Sequence, residues 1–214
     1  MGRGGGAPFS FADDPVESFR LSLQQPRLDA EKDMILADSD GQLVGWARVD
    51  LEPGLSRAVV SCGTDPDAPG LTLCPRLVQA AYEIAKTANA TVFHLSVGED
   101  DDISRMAATS RGMSPVRTYQ QLEYHPAPSY LRGDFRPLPD GYSTRTLDGV
   151  GEAAILRELQ NICFLGLWGY APNNDEDIAA SLSLPGQGPE NVLLLGEEGR
   201  PPEAYVWMQL VPSA

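Results

Sequence analysis

The chain has 214 residues, 42% of them hydrophobic, and its 30 acidic and 16 basic side chains leave a formal charge of −14 at pH 7. That is enough length and apolar content for one large domain or two small ones with a real core. The acidic balance argues against non-specific binding to nucleic acid or an anionic membrane, which needs clustered Lys and Arg.

Three cysteines, Cys62, Cys74 and Cys163, are an odd number without metal-type spacing. They argue against a disulfide framework and for a reducing compartment. No apolar run approaches the roughly 20 residues needed to cross a bilayer. A cytoplasmic location is the resulting expectation. The opening MGRGGGAPFS has no signal-peptide core and reads as a loose polar arm over residues 1–12.

Along the chain, ESFRLSL (residues 17–23) is a short amphipathic helix candidate. Residues 33–51 read as two strands joined by a turn at Ser39-Asp40-Gly41. Residues 56–64 are strand-like and TDPDAPG makes a tight turn. Residues 72–88 then form a helix with apolar positions Leu73, Leu77, Ala80, Ala81, Ile84 and Ala85 on one face and Pro75 in its first turn. Residues 90–97 alternate as a strand. Asp100, Asp101 and Asp102 suit the positive start of a helix over residues 103–110. Residues 116–125 are read as a final strand, and residues 126–141, rich in Pro, as a linker.

A second unit, residues 142–214, opens with a strand at 142–147 and a helix at 152–167 that makes Cys163 a core residue. The short helix 176–182 and a hairpin turning at Glu197-Glu198-Gly199 follow. Gly41 and Gly199 lie 158 positions apart, and the helix candidates ahead of the two hairpins keep nearly the same offset. That match points to an internal duplication.

This order of elements resembles the GCN5-related N-acetyltransferase (GNAT) superfamily, whose fold runs strand, two helices, three antiparallel strands, helix, strand, helix, strand. GMSPVRTYQQLEY (residues 112–124) is similar to the GF-x-PVR ending of the family's last helix. The duplication and NICFLGLWGYAPNNDEDI (residues 161–178) are similar to tandem members such as mycothiol synthases. The resemblance implies an α/β (α+β) fold with a mixed, mostly antiparallel central sheet flanked by helices, and a partial second copy. On that reading residues 13–125 lack the family's first strand and helix, and residues 142–214 are the N-terminal half of a second domain.

The implied function is acyl transfer from acetyl-CoA to a small-molecule amine. In the family, main-chain groups of the fourth strand pair with the pantetheine arm, and a Gln/Arg-x-x-Gly-x-Gly/Ala loop wraps the diphosphate at the next helix. Carried onto this chain, those roles fall to Cys62 and Thr64 on the strand and to Gly70, Leu71, Thr72, Leu73, Cys74 and Arg76 at the helix start. The loop departs from the pattern: Pro69 replaces Gln/Arg, Thr72 the first Gly, and Cys74 the small last residue. Thr72 crowds a close approach, Pro75 removes one amide, and Arg76 offers a compensating charge. Either the cradle still holds CoA or it only packs.

No catalytic residue is assigned. Ala108 stands where the family's proton-donating Tyr is expected. His94 is either a base or a strand histidine held by hydrogen bonds. Gly98 to Asp102 either attract a cationic amine or form a solvated helix start. Trp168, Tyr170, Tyr205 and Trp207 either pack within the second unit or line an acceptor groove. The second unit's opening strand and helix either complete the first sheet or leave an unfinished edge through which two chains dimerise. The alternative functions are a catalytically inactive binding or scaffold module and a truncated reading frame.

Overall fold

Asp40 and Gly41 both take positive φ, 54° and 83°, the backbone of a two-residue turn whose twist matches the strands it joins. That turn links β1 (Met34–Ser39) to β2 (Gln42–Glu52) in a computed structural model of the chain, which describes residues 20, 23–120 and 137–208. A one-turn helix, α1 (Ala30–Asp33), precedes the hairpin, and the Asp29 side chain accepts from the Glu31 amide.

Along β2 the side chains alternate, with Ala47 and Val49 buried and Trp46, Arg48 and Asp50 on the other face. β3 (Arg57–Thr64) pairs antiparallel with β2 along its whole length. A long helix, α2 (Gly70–Thr87), then carries the chain back so that β4 (Val92–Leu95) joins β3 in parallel, and α3 (Asp102–Thr109) follows. The sheet order is β1-β2-β3-β4. Leu77, Ala81 and Ala85 of α2 pack on Ala47, Val49, Ala58 and Val60. Cys74, Val78 and Ala107 form a smaller apolar cluster between α2 and α3.

The second sheet has the order β5-β6-β7, from β5 (Tyr142–Thr146), β6 (Val192–Glu197) and β7 (Ala204–Trp207). Between β5 and β6 run α4 (Ala153–Cys163) and α5 (Asp175–Leu182). Leu156, Leu159, Ile178, Leu182, Val192 and Leu194 make their own core. Asn174 and Asp177 close a reciprocal capping box that fixes the start of α5. The architecture is therefore mixed α/β with a mostly antiparallel sheet flanked by helices, as the order of elements implied. Among the described residues no helix is long and apolar enough to cross a membrane.

Several local expectations change. β5 pairs with β6, so the second unit's opening strand does not complete the first sheet. Residues 116–120 are not strand, while residues 121–125, most of the linker and most of the 17–23 helix candidate lie outside the described residues. Pro75 is the sixth residue of α2 rather than part of its first turn, because the helix starts at Gly70. Cys163 ends α4 and is exposed, not core, since Ala153, Leu156 and Leu159 supply the buried face.

Candidate active site

The site begins where two strands part. Asp65 N–H donates to Val44 O at 2.9 Å, so the odd-numbered residues of β3 turn their main chain toward β2. The even-numbered ones face β4. Ser96 N–H reaches Val60 O at 2.9 Å, and the pairing with β4 ends there. The N–H and C=O of Cys62 and Thr64, next on that side, have no partner among the described residues. An open strand edge of this kind presents alternating donors and acceptors to anything extended that lies along it.

The start of α2 is more closed. Gly70 N–H donates to Ala68 O at 2.7 Å, and Thr72 and Leu73 N–H both reach Pro69 O, at 2.9 and 3.0 Å. Of the first four amides, that of Leu71 alone has no partner among the described residues. Pro69 offers no side-chain cap. Asp65 and Asp67 flank the turn, with Asp67 N–H on the Asp65 carboxylate at 2.8 Å. A Cβ on Gly70 would meet the Ile103 side chain at 3.0 Å and the Thr64 hydroxyl at 3.4 Å. The missing Cβ of Gly70 thus leaves room for the Ile103 side chain of α3.

Around this turn the residues read from the sequence separate. Cys62 and Thr64 supply the open edge. Leu71, 67% exposed, faces solvent with Thr72 and Arg76. Leu73 is half-buried against the first core. Cys74 is buried, and its thiol lies 3.5 Å from the Ser104 hydroxyl, with the Cys62 thiol 4.0 Å from the same oxygen. The neighbouring Cys74 thiol and then burial push Cys62 up, while the Cys62 thiol favours the thiolate of Cys74 against burial.

Tested against the acetyl-CoA that the resemblance implies, the two parts give different answers. The free N–H and C=O groups of Cys62 and Thr64 fit the amide-rich pantetheine arm. The diphosphate finds only the Leu71 amide and the exposed Arg76, opposed by Asp65 and Asp67, and it is poorly matched.

On the face of the sheet away from α2, Asp50, Val59 and His94 stand side by side in register across β2, β3 and β4. Burial, then the nearby Arg57 charge, hold the His94 imidazole below its ordinary value, with Glu52 opposing. Its ring stacks on Trp168, centroids 5.3 Å apart and planes 19° apart. Arg57, only 8% exposed, donates to Gly169 O at 2.6 Å and pairs with Glu52. Arg27 likewise pairs with Asp177 and donates to Pro172 O at 3.0 Å, beside a cleft of about 300 Å³ lined by Gln25, Asp50, Glu52 and Asp177. Sequence reasoning missed this seam. Its partners are more than 70 positions apart, and no local period connects them. Asp101 behaves as a cap, accepting from Ser104 N–H at 2.9 Å, in keeping with a helix start.

No curated protein matches the sequence. Among solved structures, a GCN5-related N-acetyltransferase from Sphaerobacter thermophilus is similar, with a TM-score of 0.57 at 20% identity over 86% of this chain and 58% of that one. This chain therefore spans little more than half the length of that protein. An aminoglycoside antibiotic 6′-N-acetyltransferase from Acinetobacter haemolyticus matches with a TM-score of 0.37 at 19% identity, over 55% of this chain and 86% of its own. The model of the acetyltransferase (GNAT) family matches residues 7–113, half of the chain. By that match, and with the fold to agree, the chain belongs to the GNAT family of acetyltransferases.

Proposed function

We propose that the protein transfers an acyl group from acetyl-CoA, the cofactor of its family, to a small-molecule amine. The observation that carries this reading is the parting of β3 and β4 after the Ser96-to-Val60 hydrogen bond. Cys62 and Thr64 would hold the pantetheine arm through their main-chain N–H and C=O groups. Leu71 N–H and Arg76 would meet the diphosphate. When bound, acetyl-CoA supplies an acyl group activated as a thioester. α2 and α3, packed through Gly70 and Ile103, fix the helix turn against the strand edge. Gly70, Leu73 and Cys74 support that turn from behind.

Calorimetry with acetyl-CoA tests the proposal. Weak binding is expected, with a dissociation constant on the order of 0.1 to 1 mM, equivalent to roughly 4 to 5.5 kcal/mol. No heat and no thermal shift at millimolar acetyl-CoA would overturn it.

A second reading, an inactive GNAT-fold binding or scaffold module, is favoured by the engaged amides at residues 70, 72 and 73 and by Ala108. Acetylated product from a panel of amines counts against it. We also propose that residues 142–214 are a partial second copy in a tandem, mycothiol-synthase-like arrangement, joined through a linker at 126–141 to a unit at 13–125 and preceded by an arm at 1–12. A cytoplasmic location and a homodimer through the β7 edge belong to the same reading. Light scattering that gives a monomer at micromolar concentration would exclude the dimer.

A further inference from the structure

His94 lies in the last stretch of β4 that is still paired with β3, two residues before Ser96, where the strands part. At about 3.3 Å per residue, its Cα is roughly 7 Å from the mouth of the opening. Its side chain is on the face away from α2, beside Val59 of β3. Among the described residues no side chain hydrogen-bonds the ring. It is held by Trp168, which arrives on the loop between α4 and α5 of the second sheet. That loop is fixed where it crosses the first sheet, because the buried Arg57 guanidinium ties Gly169 O to Glu52. Tyr119 also lies against Trp168, ring centroids 6.4 Å apart and planes tilted by 47°.

We propose that His94 is the base that takes the proton of the incoming amine, and that Trp168 is a positioning residue through which the second sheet completes the site. The inference rests on the N-acyltransferase reading above. The proton on the amine nitrogen passes to the imidazole as the nitrogen–carbon bond forms. The carbon–sulfur bond of the thioester breaks, and the same proton returns to the departing sulfur. A base must be unprotonated at working pH. The charged groups facing the ring are Arg57 from β3 and Glu52 from the end of β2, with Asp50 two strands across. Burial and then Arg57 depress the imidazole, Glu52 opposes them, and depression prevails, so the neutral form dominates at pH 7.

The test uses the full chain, acetyl-CoA, and butylamine and phenethylamine as probe acceptors, with acetylated amine read by mass spectrometry. Calorimetry of acetyl-CoA comes first. Absence of heat in the wild type removes the transfer reading, and this inference with it. If acetyl-CoA binds, His94→Gln and His94→Asn are expected to leave its affinity unchanged. They should lower kcat by about 10²-fold and abolish the acid limb of the pH profile.

Independently of turnover, NMR titration of the wild type should place the His94 midpoint below 6.5. Trp168→Ala should move that midpoint and the acid limb upward together, and Trp168→Phe should restore both. The proposal is overturned in three ways. It falls if the His94 variants keep the acid limb and full kcat, or if Trp168→Ala leaves the titration unmoved. A wild type that binds acetyl-CoA but acetylates neither probe overturns it as well.

Discussion

The two sheets differ in how their strands are joined, and the difference decides where a ligand edge can form. In the second sheet every pair is antiparallel, and Leu193, Leu194 and Leu195 of β6 are matched on both sides. In the first sheet β4 is added in parallel after a helical crossover, and it matches β3 only from Arg57 to Val60. A β-hairpin's turn fixes the register of the antiparallel strands it joins. A parallel strand has no turn at the shared end, and its neighbour is free to run on alone. The opening beside Cys62 and Thr64 follows from that topology rather than from any special side chain.

The largest effect is expected where the comparison is broken outright. Leu156 is fully buried in the core of the second sheet. Leu156→Ala should cost about 2 to 5 kcal/mol, seen as a lower urea midpoint. Because the two sheets have separate cores, the acetyl-CoA heat of the folded variant should persist. Its loss would mean that the strand edge depends on the second core.

Next come the two sides of one strand. Ser61 turns its N–H toward β2 and Thr64 turns its N–H toward the opening. Ser61→Pro removes a ladder bond and should destabilise by about 3 kcal/mol. Thr64→Pro should cost under about 1 kcal/mol and weaken acetyl-CoA binding by about tenfold, one charge-neutral hydrogen bond. Equal destabilisation by the two substitutions, measured by urea denaturation, would contradict the assignment of sides.

A smaller loss is expected at the seam between the sheets. Arg57→Met strands the Glu52 carboxylate and leaves Gly169 O without its donor. Glu52 retains some contact with water, so the expected cost is about 2 kcal/mol, near the lower range for unpaired polar groups. The His94 midpoint should rise in the same variant, because the Arg57 charge that depresses it is gone.

How far the sequence reveals this arrangement depends on the range of the forces involved. The Asp40-Gly41 turn was legible because positive φ at two successive residues demands such a pair. The periodic face of α2 was legible because Leu77, Ala81 and Ala85 recur at helical spacing. Gly70 was legible as a turn glycine but not in its packing, since the Ile103 side chain it makes room for lies 33 positions later. The open edge at Cys62 and Thr64 came from family likeness alone, for nothing in SCGT distinguishes a paired end from a free one. The cradle's closure was hidden too. Which amides at residues 70–73 find carbonyls depends on the path of the 65–69 turn, and composition does not set that path. Trp168 on His94 was beyond reach, because an aromatic in a loop carries no address.

The smallest expected effect sharpens the comparison through pH, because carboxylates in the two regions carry shifts of opposite sign. Asp50, on β2, is pushed above its ordinary 3.8 by burial, with Arg48 opposing. Glu152, ahead of α4, is held below its ordinary 4.5 by Arg145, which donates through both Nη atoms at 2.6 and 3.0 Å, and by the Asp148 amide. A carboxyl raised by folding burdens the native state once ionised, a penalty absent below the unfolded value that grows as pH rises through the folded one. A lowered carboxyl stabilises above the unfolded value, and that contribution is lost as pH falls through the folded one. Asp50→Asn keeps an oxygen to accept from Arg48, so it should match or slightly exceed the wild type in thermal midpoint at pH 7 and converge with it below about pH 4. Glu152→Gln should melt below the wild type at pH 7 and converge with it at low pH. Both variants approach the wild type on acidification, from opposite sides. Shifts of the same sign at pH 7 would mean that Arg48 outweighs burial at Asp50, and that the first sheet tolerates a charge on its face away from α2 as easily as the second does at its rim.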